Sequence, residues 1–262
     1  MIFSVNSTRG DILNGVLRRA MFLAVGALVM ASCGGGGGSL SAPPATSFRA
    51  NIPGDSWTYN VHIDFGSLGS FPGSLSVALT NDTYQGVPTV RSTQTFVIDT
   101  NNGPSSVVSY AEIGLDGQLL AETQNGILLA VTSNTFSIPG TIGPNTSSSG
   151  VTTFSDNETI TQTFNVVGTD QISTPSGSYS CWVATQKAVQ STGTTDAFRI
   201  WEAPETGNYV RLTDTTTSTN SAGYTYTASL ASTVTASQQN RFNIPGLVIR
   251  AMAHAIRPPV VR

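Results

Sequence analysis

The sequence predicts an all-β fold: a single antiparallel domain whose sheet curls into an open barrel, with a β-sandwich as the alternative. Three observations carry this. Apolar residues alternate with a period of two, 66 of the 262 residues are serine or threonine, and turn signals recur between the alternating stretches. Trp57, Tyr59, Val61, Ile63 and Phe65 share one parity, while Ser56, Thr58, Asn60, His62 and Asp64 take the other. Such alternation gives a strand with one dry and one wet face. Tyr224, Tyr226, Ala228 and Leu230 repeat the pattern against Thr225, Thr227 and Ser229, as do Ile160, Phe164 and Val166 against Thr161, Thr163 and Asn165. Leu75, Val77 and Leu79 mark a shorter strand. β-Branched threonines pack well on a pleated, half-exposed surface. The spacing implies ten to twelve strands between residues 55 and 235, and one-sided strands joined by short turns imply one antiparallel sheet around one core.

The punctuation is specific. Asp116-Gly117 and Asn125-Gly126 are two-residue hairpin signals. Asn102-Gly103-Pro104, Pro139-Gly140 and Pro144-Asn145 mark longer loops, and the Ser/Thr-rich stretch Gly143 to Gly150 reads as a mobile excursion. Pro175 with Gly177 makes a turn that feeds a strand through Tyr179, Cys181 and Val183; Pro204 ends a strand and Gly207 permits a tight return.

Composition excludes several functions. Only 10% of residues are charged, the net charge is −3, and Lys187 is the one lysine, so no basic surface for nucleic acid exists. Two cysteines are too few for a zinc finger, a disulfide scaffold or an iron–sulfur site.

The N-terminus reads as an address. Arg18 and Arg19 precede an apolar run spanning 20–31, too short to cross a bilayer as a helix. A basic stub, a short apolar stretch and small residues describe a secretory signal peptide, residues 1–32. Met30-Ala31-Ser32-Cys33 resembles a bacterial lipobox, with Met where Leu is usual; an ordinary signal peptide with an incidental cysteine is the alternative. The resemblance implies cleavage before Cys33 and acylation of that residue, so the membrane is a partner through acyl chains such as palmitate. It also implies the outer membrane, facing the periplasm or the exterior, because Gly34 and not Asp follows the cysteine. Two or three chains suffice for stable attachment at about 0.8 kcal/mol per buried methylene. Residues 33–47 form a Gly/Ser/Pro tether with a reach of about 20 Å. The β domain follows at 48–240. At 241–262 a basic tail or short amphipathic helix carries Arg250, His254 and Arg257 on one side, and it either stays loose, lies on an anionic membrane surface or docks on the domain.

Four further pieces carry a resemblance: Gly54-Asp55-Ser56-Trp57-Thr58-Tyr59; the Leu115-Asp116-Gly117 turn; Thr174 to Cys181; and Trp201-Glu202-Ala203-Pro204 through Arg211. Together they resemble a broad group of uncharacterised bacterial envelope lipoproteins with a β-rich domain, some of which look like the half-closed barrels of the carriers LolA and LolB. Glu205-Thr206 departs from that pattern, as does the basic tail. The resemblance implies no catalytic residue.

The residues themselves point the same way. No HxH, CxxC, HExxH or phosphate-binding glycine loop occurs, so no metal and no cofactor is expected. Asp156 and Glu158 read as a solvated strand face, and nothing in the pattern brings two acids together for acid–base work. Cys181 reads as a small buried hydrophobe, with pairing to another chain as the alternative. His62 sits on a wet strand face; a serine or cysteine beside it or His254 at a cleft would point to a hydrolase. Trp57, Trp182 and Trp201 read as core fillers whose indole N–H finds a partner. The expectation is therefore a non-catalytic, membrane-anchored envelope lipoprotein, not an enzyme, whose barrel shelters an apolar ligand or acyl chain. Trp57, Tyr59, Ile63, Phe65, Tyr224 and Tyr226 are the candidate ligand-facing residues, with plain core packing as their other reading. The alternative function is an interaction or adhesion module whose threonine-rich outer strands meet an envelope protein or a glycan.

Overall fold

A computed structural model describes residues 46–47, 52–66, 69–100, 103–115, 117–124, 127–139, 141–218 and 223–234. Its strands are β1 (Thr46–Ser47), β2 (Ser56–Asp64), β3 (Ser70–Tyr84), β4 (Val87–Thr100), β5 (Gly103–Gly114), β6 (Leu119–Gln124) and β7 (Ile127–Asn134). There follow β8 (Thr141–Ile142), β9 (Ser147–Phe154), β10 (Thr159–Thr174), β11 (Gly177–Gln190), β12 (Thr194–Glu202), β13 (Tyr209–Ser218) and β14 (Tyr224–Val234). Twelve of them close into one barrel in the order β10-β11-β12-β13-β14-β2-β3-β4-β5-β6-β7-β9, while β1 and β8 pair separately. Each neighbouring pair is antiparallel, as short turns require. The curled sheet that the alternation implies is present, and it goes further than the half-open form: it closes on itself, and neither edge is left unpaired.

The period of two does the sorting. β2 buries Trp57, Tyr59, Val61 and Ile63 and turns Asn60, His62 and Asp64 outward. β14 faces it in register, Tyr226 opposite Ile63 and Leu230 opposite Tyr59. A one-residue slip would invert both faces, so the apolar parity holds the register. Bulges at Val166/Gly168, Trp201/Glu202 and Leu230/Ser232 supply the bends that a closed sheet needs.

Four local expectations are corrected. The stretch 143–150 is no mobile excursion: Ser147–Phe154 is β9, the strand that joins β7 to β10 and closes the barrel. Its serines lack apolar alternation because segment 135–136 crosses it at Gly150, where Phe136 is fully buried. Gly103 and Pro104 are not in a longer loop: they begin β5, with Gly103 paired to Thr100 and Pro104 to Asp99. The Asp116-Gly117 turn is longer than two residues, because β5 ends at Gly114 and β6 starts at Leu119. Asp156 and Glu158 do not share a strand face; they lie in the β9–β10 turn, where Asp156 Oδ1 accepts the Glu158 N–H at 3.0 Å and Glu158 is buried.

The end where β2 begins is sealed by residues 203–208. Trp57 Nε1 donates to the Thr206 carbonyl at 3.0 Å, the Tyr59 hydroxyl donates to the Tyr209 carbonyl at 3.1 Å, and Gly207 takes a φ of 65°.

Gly150 tests the closing seam. A β-carbon there would lie 2.4 Å from the Phe136 nitrogen, so only glycine lets segment 135–136 cross β9. Gly150→Ala is expected to cost about 1–3 kcal/mol in chemical denaturation, the range for overpacking a closed site. An unchanged midpoint would mean that the crossing is absent.

Candidate functional site

All six residues singled out from the sequence point into the barrel and are 0–5% exposed. The structure brings them together. The Phe65 ring lies 6.0 Å from Phe71 and 5.7 Å from Tyr224; Tyr226 packs against Phe96 at 6.1 Å; Tyr59 stacks on Tyr209 at 4.5 Å. These are favourable aromatic geometries. They are made between protein side chains, so the cluster offers a ligand almost no surface.

Beside this apolar cluster runs a polar seam that the sequence reading did not identify. Asp196 shares inward parity with Phe198 and Ile200, and Asp214 shares it with Leu212 and Thr216. Thr216 Oγ1 lies 2.7 Å from Asp196 Oδ1 and 3.0 Å from Asp214 Oδ2. Two acids are thus brought together after all, on neighbouring strands. A hydroxyl has one proton to donate, so two ionised carboxylates cannot both be served by it. The arrangement closes when Asp214 keeps its own proton and donates to Thr216, which donates to Asp196. Burial, then the charge of Asp196, push the Asp214 carboxyl well above the usual carboxylate range, in agreement. The signal was legible in principle: an aspartate at an inward position of an alternating strand is the anomaly to look for.

A third acid is as deeply buried. Glu202 is 1% exposed, and among the described residues neither of its carboxylate oxygens has a hydrogen-bond partner. Burial pushes its carboxyl well up. The Tyr209 and Tyr226 hydroxyls are also buried without a partner, and burial raises both phenols. Cys181 is 2% exposed; burial, then Glu205 and Asp170, push its thiol up to about 12. A thiol that keeps its proton is no nucleophile at neutral pH.

Other sequence candidates separate. Ser70 Oγ lies 2.6 Å from His62 Nε2, but both are on the outer wall. Among the described residues no carboxylate bonds His62, so the third member of a triad is missing. Trp201 Nε1 donates to Asp170 Oδ2 at 3.0 Å, and Trp182 is buried. Cys33, the residues up to 45 and the tail with His254 lie outside the described residues.

On the outer wall of β10–β13 the register forms a depression. One cross-strand row is Thr163, Lys187, Ala197 and Thr215; the next is Asn165, Thr185, Arg199 and Thr213. Ala197, a single methyl between a lysine and a threonine, leaves a gap that those neighbours wall in. The resulting groove has a volume of about 360 Å³.

Comparison with known proteins gives little. No protein-family model matches the chain, and no curated protein matches it. Two solved structures resemble it loosely. A Bacteroides fragilis protein with a YmcC-like fold, thought to be exported, has a TM-score of 0.37 at 15% identity, covering 72% of this chain and 99% of its own. A Parabacteroides distasonis protein thought to be a lipoprotein has a TM-score of 0.35 at 13% identity, with the same coverage. Likenesses this loose carry nothing about what the chain does.

The buried acids set a pH dependence. Asp214 and Glu202 have raised folded-state pKa values, so the native state holds protons that the unfolded chain releases above about pH 4. Their contribution is complete below that pH and is lost as pH rises toward the folded values. Glu202→Leu is expected to raise stability at pH 8 by about 1–3 kcal/mol and to flatten the fall between pH 5 and 8, read by urea denaturation across pH. A variant less stable than wild type at pH 8 would show that Glu202 has a charged partner.

Proposed function

We propose that this is a lipid-anchored, non-catalytic lipoprotein of the bacterial envelope, held at the outer membrane, which binds its partner through the outside of its barrel. The observation that carries the reading is Cys33, placed after the apolar run 20–31 and before a glycine-rich tether that leads toward β2. The character of the wall supports it. A membrane-spanning barrel shows lipids an apolar band, whereas the outward positions of β10–β14 include Thr161, Thr163, Asn165, Lys187, Arg199, Thr213, Thr215 and Thr225. Such a surface belongs in water, so attachment falls to acyl chains.

The two binding modes expected of such a barrel are shelter within and contact outside. Shelter for an acyl chain requires the closed interior to part around residues that are 0–5% exposed. Contact outside requires no rearrangement, and the groove on β10–β13 is already open. The outward mode is therefore preferred.

Expression of the full chain in a Gram-negative host fed radiolabelled palmitate is expected to label the wild type and place it in the membrane fraction. Cys33→Ser should lose both the label and the membrane association. An unlabelled wild-type protein would remove the anchor and with it the lipoprotein assignment, leaving export by an ordinary signal peptide.

A further inference from the structure

We infer that the groove on the outer wall of β10–β13 is a binding site for an acidic oligosaccharide, a sugar chain whose rings carry carboxylates. The inference gives a ligand class to the outward-binding reading and rests on it; it does not depend on acylation of Cys33.

The chemistry of the walls selects the ligand. The chain has one lysine, and it lines this groove together with Arg199. The two cations are near neighbours, since Lys187 pairs across the strands with Ala197 and Arg199 pairs with Thr185. Among the described residues neither makes an ion pair, and no acid lines the groove. A guanidinium offers a planar fork of donors that matches a carboxylate, and an ammonium adds a movable charge. Arg199 is held in place by the Trp201 ring, whose centroid lies 5.2 Å from its Cζ. That contact limits the freedom the side chain would lose on binding.

Between and around the charges the lining combines threonine hydroxyls and the Asn165 amide with the apolar Ala197 and Phe198. Thr163, Thr213 and Thr215 each donate and accept, which suits the alternating donors and acceptors of a sugar ring. The volume of about 360 Å³ lies at the small end of the ~300–1,000 Å³ range of small-ligand sites. Its floor is Ala197, flat and exposed, so a ring can approach the sheet without displacing a side chain. A negatively charged sugar chain lying across the strands meets both cations and the threonine rows at once.

The test uses the full-length protein in detergent, titrated calorimetrically with a galacturonate hexamer and, separately, with the neutral maltohexaose. The acidic oligomer is expected to bind, more weakly as salt is raised, and the neutral one to give no heat. Lys187→Gln and Arg199→Gln should each weaken binding about tenfold, and Ala197→Glu, which fills the floor with a like charge, should abolish it. All three positions are exposed, so melting temperatures should not move and serve as the folding control. Failure of the acidic oligomer to bind would overturn the inference. Equal binding of the neutral oligomer would overturn the acidic class alone and leave outward binding standing. Binding that none of the three substitutions alters would overturn the groove as the site and with it this inference.

Discussion

Closure of the sheet is the constraint on which the rest of this structure depends. Twelve strands pair around a full circle, so backbone donors and acceptors that an edge would leave unpaired find partners. The circle is completed at a short seam, where β7 meets β9 through Val131–Phe154, Ser133–Thr153 and Asn134–Thr152. On the other side β9 pairs with β10 over a longer register, from Thr159–Thr153 to Asn165–Ser147. Thr135 continues the seam: its backbone N–H donates to the Val151 carbonyl at 2.9 Å, and its side-chain oxygen accepts the Val151 N–H at 2.9 Å. A strand of small polar residues, with a glycine at the crossing, completes a wall built elsewhere from bulky apolar ones.

Closure also decides what the interior is. With both edges gone, side chains of inward parity from every strand meet in one space and exclude solvent from one another. Aromatic residues gain contacts there, and polar ones lose water. Thr152, Gln162 and Gln186 manage this by bonding in a chain, Gln186 Nε2 to Gln162 Oε1 at 3.0 Å and Gln162 Nε2 to Thr152 Oγ1 at 3.3 Å. Asp196 and Asp214 manage it by sharing Thr216. Glu202 has no such arrangement and holds a proton instead of a partner. The same strands carry the opposite character outside. On β12, Asp196 faces in and Ala197 and Arg199 face out; on β13, Asp214 faces in and Thr213 and Thr215 face out. On these two strands the sheet thereby keeps Asp196 and Asp214 dry and presents Arg199 and the threonine hydroxyls to water.

Much of the wall could be read from residues in order. The alternation in β2 and β14 shows in the letters, and the register between them follows because only one alignment buries both apolar faces. Pro175-Ser176 between Thr174 and Gly177 marked the β10–β11 hairpin correctly. β9 was illegible for a physical reason: segment 135–136 packs against its inward face at Gly150, so small residues there answer a contact that strand periodicity does not show. The acids were missed for a related reason. Parity placed Asp196 and Asp214 inside, but only the pairing of β12 with β13, and of Asp196 with Thr216, brings both carboxylates to one hydroxyl.

By itself the sequence determined the strand character, the inward parity and the hydroxyl-rich outside, because each is a local property of residue type and spacing. Tertiary structure alone decided that the curled sheet closes, that the six aromatic and aliphatic candidates are covered by one another, and that Lys187, Ala197 and Arg199 share a groove. Those outcomes turn on which strands meet across the barrel, and a neighbour supplied from far along the chain leaves no mark on local periodicity.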